Sequence, residues 1–289
     1  MNDEMSDPVA SPILVTGGTG TLGRLVVARL RDAGRDVRVL SRGRREGAED
    51  VKRDRGIESL IGDLATGEGI DAAVKGTEII VHCAGSAKGD EDKARHLVRA
   101  ASRAGARHLV YISVVGADRI PIASGIDRAM FGYFGSKLSA ERAVVDSGLP
   151  WTTLRATQFH DLTLKTVQGM AKLPVILVPA GFRFQPVDAA EVAARLVGLA
   201  LGTPAGLVPD IGGPRVYEMA ELVRGYLRAA HRHRLLIPMW MPGKAARAFR
   251  DGANLAPDRA VGRLTWEDFL AARVSSPSDS NQWDSLTLR

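Results

Sequence analysis

Tyr133 and Lys137 stand four residues apart in the run Tyr133-Phe134-Gly135-Ser136-Lys137. At the opening of a helix, that spacing puts a phenol and an ammonium on one face, one turn apart. A phenol with a pKa near ~10 exchanges protons poorly at neutral pH, and a neighbouring ammonium favours its ionised form. The pair suits proton transfer, with Tyr133 as general acid/base, Lys137 as the group that tunes it and a nearby hydroxyl to orient a substrate oxygen. Ser113, which ends the apolar run 108–113, offers that hydroxyl. The same spacing also occurs where a half-buried tyrosine merely has a solvated lysine beside it.

A second stretch binds rather than reacts. Ile13-Leu14-Val15-Thr16 is followed by Gly17-Gly18-Thr19-Gly20-Thr21-Leu22-Gly23 and then by apolar residues at helical spacing. This reads as strand, tight turn and helix N-terminus. Gly17 permits the turn, Gly20 lets backbone approach a pyrophosphate, and Gly23 lets the helix pack closely. Free N–H groups and the positive end of the helix dipole then face the phosphates. The spacing is Gly-x-x-Gly-x-x-Gly rather than the Gly-x-Gly-x-x-Gly of the dehydrogenase fingerprint. The alternative is a glycine-rich βα turn that holds no ligand.

The elements that must position these residues alternate. Strands are expected at 13–16, 36–41, 57–61, 78–83, 108–113 and 151–155, with helices at 20–33, 67–74, 91–104 and 133–147 between them. The strands are near-continuous apolar runs, as in a parallel sheet covered on both faces. The expected fold class is α/β: a doubly wound parallel-sheet Rossmann fold with a smaller C-terminal substrate-binding region. Further elements are expected at 161–171, 175–178, 184–187, 189–201 (with Asp188 as N-cap), 206–210, 218–230, 243–252 and 266–270. The division is a disordered leader at 1–11, a dinucleotide-binding core at 12–158, an interleaved substrate or lid region at 159–274 and a flexible tail at 275–289.

Composition narrows the function classes. The chain of 289 residues is 45% hydrophobic and 25% charged, which fits a globular protein with a sizeable core. Its one cysteine, Cys83, excludes an internal disulfide and is read as an inert buried thiol. No apolar run is long enough to span a bilayer, and the acidic start is not a signal peptide, so a cytoplasmic protein with no membrane partner is expected. Net charge is +6 with pI near 9.7. Nucleic-acid binding rests on that charge alone and is not expected.

The motifs together resemble the short-chain dehydrogenase/reductase superfamily. They are Thr16-Gly17-x-x-Gly20-x-x-Gly23, Gly62-Asp63, Ala84-Gly85, Ser113 and Tyr133-x-x-x-Lys137. More closely, Tyr111-Ile112-Ser113-Val114-Val115-Gly116, Leu154-Arg155-Ala156-Thr157-Gln158-Phe159-His160 and Phe184-Gln185-Pro186-Val187-Asp188 resemble its atypical, NmrA-like NAD(P)H-binding branch. The resemblance implies a Rossmann fold and a dinucleotide held by Thr16, Gly17, Thr19, Gly20, Thr21, Leu22, Gly23, Ser41, Arg42, Asp63, Leu64, Ala84, Gly85, Lys137, Thr157, Gln158 and Phe159. It implies Asp63 by the adenine and 156–159 near the nicotinamide. The branch contains reductases and also redox sensors that bind the dinucleotide without chemistry. Many sensors lack the tyrosine, so Tyr133, Lys137 and Ser113 favour an enzyme acting on a small molecule, as monomer or homodimer.

The choice of dinucleotide turns on the end of the second strand. An NAD site usually has a carboxylate there, gripping the ribose 2′-hydroxyl. Here the strand ends Val39-Leu40-Ser41-Arg42, with Arg44 and Arg45 beyond. A guanidinium suits a 2′-phosphate, so NADP(H) is expected, with NAD(H) possible. His231 and His233 have no Cys or carboxylate cluster to complete a metal site. His160 either faces a substrate or begins a helix, and Met239-Trp240-Met241 reads as core packing or as a lid or interface.

Overall fold

The computed structural model describes residues 11–43, 56–85 and 89–274. Apart from Ser11, the expected leader and tail lie outside the described residues, as do Arg44 and Arg45. The central sheet is parallel throughout and runs, in spatial order, β3 (Ile57–Ile61), β2 (Val37–Ser41), β1 (Ile13–Thr16), β4 (Ile79–His82), β5 (His108–Val114), β6 (Trp151–Ala156) and β9 (Gly206–Leu207). Chain order reverses between β1 and β4. That is the doubly wound arrangement, with a crevice at the carboxyl ends of the strands where direction switches.

Both faces of the sheet are covered. On one side α1 (Thr21–Asp32) and α6 (Ala189–Ala200) pack on Val15, Val81, Val110, Ile112 and Leu154. On the other, α2 (Ile70–Val74), α3 (Asp90–Arg103) and α4 (Gly125–Val145) cover Leu14, Ile80, Leu109 and Tyr111. Two-sided burial is why these strands lack polar alternation. Arg155 on β6 ties α4 to the sheet, with a bidentate pair to Glu141 at 2.6 and 2.9 Å and a third bond to Asp118 at 2.8 Å. Asp188 caps α6 as expected, accepting from the Ala190 amide.

The remainder builds a side layer. It comprises α5 (His160–Met170), β7 (Val175–Pro179), β8 (Arg183–Phe184), β10 (Tyr217–Glu218), α7 (Met219–Ala229), β11 (Leu235–Met239), α8 (Lys244–Arg250) and α9 (Trp266–Val274). Antiparallel β8 and β10 form one small ribbon and parallel β7 and β11 another. Neither pairing was expected.

One boundary changes the site. The helix expected to open at Tyr133 begins at Gly125, so Tyr133 sits in its middle. A reciprocal cap starts it early: the Ser124 hydroxyl accepts from the Asp127 amide and the Asp127 carboxylate from the Ser124 amide, both at 3.0 Å. Gly125, Gly132 and Gly135 disguise this helix in the sequence, because glycine is a poor helix former.

Beneath the glycine turn, fully buried Thr16 and His82 join β1 to β4 through Oγ1 and Nδ1, 2.6 Å apart. His82 also stacks on Tyr111 at 5.3 Å. Burial, helped by the nearby Lys137 ammonium, lowers the His82 pKa from 6.5 to about 3. The unfolded chain therefore binds a proton that the folded chain refuses between those values. Stability should fall as pH drops below 6.5, with His82 contributing ~1.4 kcal/mol per pH unit. Urea unfolding at pH 7 and pH 5 should show the loss, and His82→Gln should flatten the slope. An unchanged slope in that variant would remove His82 from the account.

Candidate functional site

The carboxyl ends of β1, β4, β5 and β6 lie side by side, with the glycine turn after β1, Ala84 and Gly85 after β4, Ser113 near the end of β5 and Thr157 and Gln158 after β6. Gly17 has φ +70°, the left-handed region that glycine tolerates. A Cβ on it would stand 2.7 Å from the backbone of Ala84, so the turn after β1 packs on the segment after β4. Gly20 is the N-cap of α1. Its amide bonds the Gly17 carbonyl at 2.9 Å, and no side chain caps the helix. The first amides of α1 are therefore left for another partner. A Cβ on Gly23 would collide with the Gly17 carbonyl, so the helix start and the turn form one close-packed unit.

Lys137 lies at the centre, and it is almost wholly buried. Its Nζ is 3.1 Å from Asp90 Oδ2 and donates to Tyr111 Oη at 3.3 Å and the Ile112 carbonyl at 3.4 Å. It also lies 5.8 Å from the Tyr133 ring centroid. A Cβ on Gly85 would come within 3.0 Å of this Nζ, so the segment after β4 closes over the ammonium. Asp90 opens α3, and its amide donates to Ser136 Oγ on α4 at 3.2 Å. Burial opposes the charge on Lys137. The two tyrosines and Asp90 outweigh it and hold the ammonium charged above the usual lysine range.

The same groups act on Tyr133. Lys137 does pull the Tyr133 phenol toward ionisation, but burial pushes it up more strongly and Asp90 adds to the rise. Tyr133 therefore stays protonated at neutral pH. Tyr111 is pushed up to about 12, by burial first. Ser113 points to the same face of the sheet as Tyr111, toward α4, since strand side chains alternate. Its buried Oγ finds no hydrogen-bond partner among the described residues. The buried Gln158 Nε2, just beyond β6, is likewise unpaired.

Other expected residues fall into place differently. Thr19 is exposed, Thr21 and Ser41 are half-buried, and Arg42 is exposed just past β2. Asp63 Oδ1 accepts from the Ala65 amide at 2.8 Å, shaping its own loop. Thr16, Leu22 and Leu64 turn their side chains into the interior; Leu22 and Leu64 pack in the two layers flanking the sheet. Thr157 Oγ1 donates to the Gln185 carbonyl at 2.5 Å, and Phe159 packs on the layer under α6. His160 is a core residue: wholly buried, bonded to the Leu264 carbonyl at 3.0 Å and stacked on Trp266 and Phe269. Cys83, half-buried beside the turn, has its thiol pKa pushed up to about 12 by desolvation, which makes it inert. His231 and His233 are exposed after α7. Met241 is buried while Trp240 is 66% exposed, so that run divides between core and surface.

Asp90, Tyr111 and His82 belong to the site and were not expected there. Tyr111 and His82 looked like ordinary strand residues, and only the contact between α3 and α4 brings Asp90 to Lys137. The sole sequence signal for Asp90 is an acid at a helix start after a glycine.

Comparison with known proteins identifies the family and the fold. The family profile described as NAD(P)H-binding matches residues 17–197. A (4-alkanoyl-5-oxo-2,5-dihydrofuran-3-yl)methyl phosphate reductase of Streptomyces griseus is 32% identical over 72% of this chain and 70% of its own. A ceramide reductase of Caulobacter vibrioides is 30% identical over 78% of this chain and 72% of its own. Among solved structures, an NADPH-dependent quinone oxidoreductase of Escherichia coli, in complex with NADPH, superposes with TM-score 0.74. The identity is 17%, over 90% of this chain and 99% of that one. A triphenylmethane reductase of Citrobacter sp. gives 0.71 at 20% identity, over 92% and 100%. With the profile across more than half its length and a relative at 32% identity, the chain belongs to the NAD(P)H-binding family.

Proposed function

We propose that this chain is an NADP(H)-dependent reductase that moves hydride between the nicotinamide and a carbonyl, or a similar reducible bond, of a small molecule. One observation carries the reading: a buried, charged Lys137 beside a protonated Tyr133 and a Ser113 hydroxyl with no partner among the described residues, at the carboxyl end of the sheet where the glycine turn opens α1. The names of the two relatives, a reductase of a furanone-bearing methyl phosphate and a ceramide reductase, fit a reductase acting on a small molecule.

The residues present fit a dinucleotide. The uncapped amides at the start of α1 suit a pyrophosphate, and the glycine turn leaves room for it. The unsatisfied Ser113 Oγ and Gln158 Nε2 are polar atoms in want of a partner at the neighbouring strand ends. Ser41 and Arg42, with no carboxylate at the end of β2, favour a 2′-phosphate. When bound, the nicotinamide supplies the hydride.

Ser113 then donates a hydrogen bond to the substrate oxygen and fixes its position. Tyr133, neutral because burial outweighs Lys137, gives its proton to that oxygen as negative charge develops there. Lys137 stabilises the phenolate left behind. Its ammonium is 5.8 Å from the ring, and Asp90 holds it in place.

Tyr133→Phe should leave NADPH affinity within about twofold and lower turnover by ~10²–10⁴. Fluorescence titration and NADPH consumption against a carbonyl and quinone panel read the two quantities separately. Suppose instead that no substrate drives NADPH oxidation in the parent chain while NADPH alters its protease sensitivity. The chain would then be a sensor. Arg42→Ala should weaken NADPH binding about tenfold and leave NADH binding unchanged, since a charge-assisted bond to phosphate contributes ~1.5 kcal/mol or more. An unchanged NADPH-to-NADH affinity ratio would sink the 2′-phosphate assignment.

A further inference from the structure

The β7–β11 ribbon turns an apolar face outward. Its register sets Val175 beside Leu235 and Leu177 beside Ile237, and the two-residue period sends these, with Met239, to one side. Leu235 is 62% exposed, Leu177 51% and Ile237 42%, and Trp240, at the end of β11, is 66% exposed. The opposite face, Ile176 and Val178, is packed in the layer formed with α5, α7 and α9. A contiguous exposed apolar surface on a folded protein marks an interaction site.

Charge identifies the occupant. Residues 162–187 and 222–250, the two stretches that build the ribbon and its flanks, contain no Asp or Glu. They hold ten cations: Lys165, Lys172, Arg183, Arg224, Arg228, Arg232, Arg234, Lys244, Arg247 and Arg250. Among the described residues only Arg247 of these finds a carboxylate, Asp251 at 3.7 Å. Exposed Lys172, Arg232 and Arg234 stand at the amino ends of the two strands, and exposed Lys244 and Arg247 follow Trp240. A second copy on this face would bring these cations against their own kind. An anionic bilayer surface complements them, while the apolar residues enter the headgroup boundary and an exposed Trp suits that interface.

We propose that the β7–β11 face docks this protein on the surface of an anionic membrane. The absence of a spanning segment led to an expectation of no membrane partner, but that says nothing about a protein lying on the surface. β7 and β11 run on into Phe182 and Met241. Both belong to the cluster with Phe131, Phe134 and Phe249 against which Tyr133 packs, so the docked face and the candidate site share one packed layer.

Vesicle flotation of the full chain tests this. The protein should float with phosphatidylcholine vesicles doped with phosphatidylglycerol but not with phosphatidylcholine alone, and raised salt should release it. Arg232→Gln with Arg234→Gln should weaken binding about thirtyfold. Leu177→Ser with Ile237→Ser should abolish it, although every cation remains. Trp240→Phe should keep flotation yet lose the quenching of tryptophan fluorescence by brominated lipid. Each variant is first shown to bind NADPH like the parent, which establishes that it is folded. Failure of the parent chain to float, or flotation of the serine variant like the parent, overturns the proposal. So does a parent dimer that the serine variant converts to monomer in sedimentation, which would assign the face to a second copy.

Discussion

A charged ammonium inside a protein is tolerated only where other groups replace the water it has lost. Lys137 imposes that requirement on everything around it. Asp90 supplies the counter-charge, Tyr111 Oη and the Ile112 carbonyl accept its hydrogen bonds, and Gly85 yields the space for its Nζ. These groups come from α3, β5 and the segment after β4, so a charge on α4 fixes how three other parts of the fold meet. Asp90 in turn is held from both sides, since its amide is tied to Ser136, one residue before Lys137.

The same edge carries the glycine turn, and the two are mechanically linked. Thr16 and His82 join the last residues of β1 and β4 through a short bond. Gly17 then packs on Ala84, and Gly85 packs on Lys137. A ligand phosphate at the start of α1 would thus rest on a floor continuous with the buried ammonium. The reversal of strand order between β1 and β4 opens the crevice above that floor. Uncharged His82 is part of the arrangement. A protonated imidazole this close to Lys137 would set two positive charges together in a dry interior.

Much of this was legible in the sequence, because local pattern and tertiary environment agree in the first half of the chain. The apolar runs at 13–16 and 57–61 are strands with those limits, and the helix after Gly20 is bounded by Gly34. Ser113, Tyr133 and Lys137 reach one region of the fold because alternating strands and helices leave little choice of topology. What escaped depends on contacts distant in sequence. Asp90 fell just outside the expected helix at 91–104, one acid among several there. His160 was ambiguous until Trp266 and Phe269, far along the chain, were seen to stack on it. The β7–β11 pairing joins strands separated by two helices and much loop, so nothing local announces it. Tyr133 was misplaced within its helix because three glycines outweighed a cap built from Ser124 and Asp127.

The surroundings of Tyr133 bear on the proposed chemistry. A lone lysine beside a phenol would draw it toward phenolate, a base ready to take a proton from an alcohol. Here burial among aromatic residues, which withholds the water a phenolate would need, outweighs that pull, and Asp90 adds to the rise. The resting group is therefore a phenol. An oxygen that gains negative charge on accepting hydride needs a proton, and a neutral phenol beside a fixed ammonium can deliver it and then be stabilised as the anion. In the proposed reduction the Lys137–Asp90 pair serves the anion rather than the resting phenol, because the ammonium that Asp90 holds in place stabilises the phenolate once the proton has left.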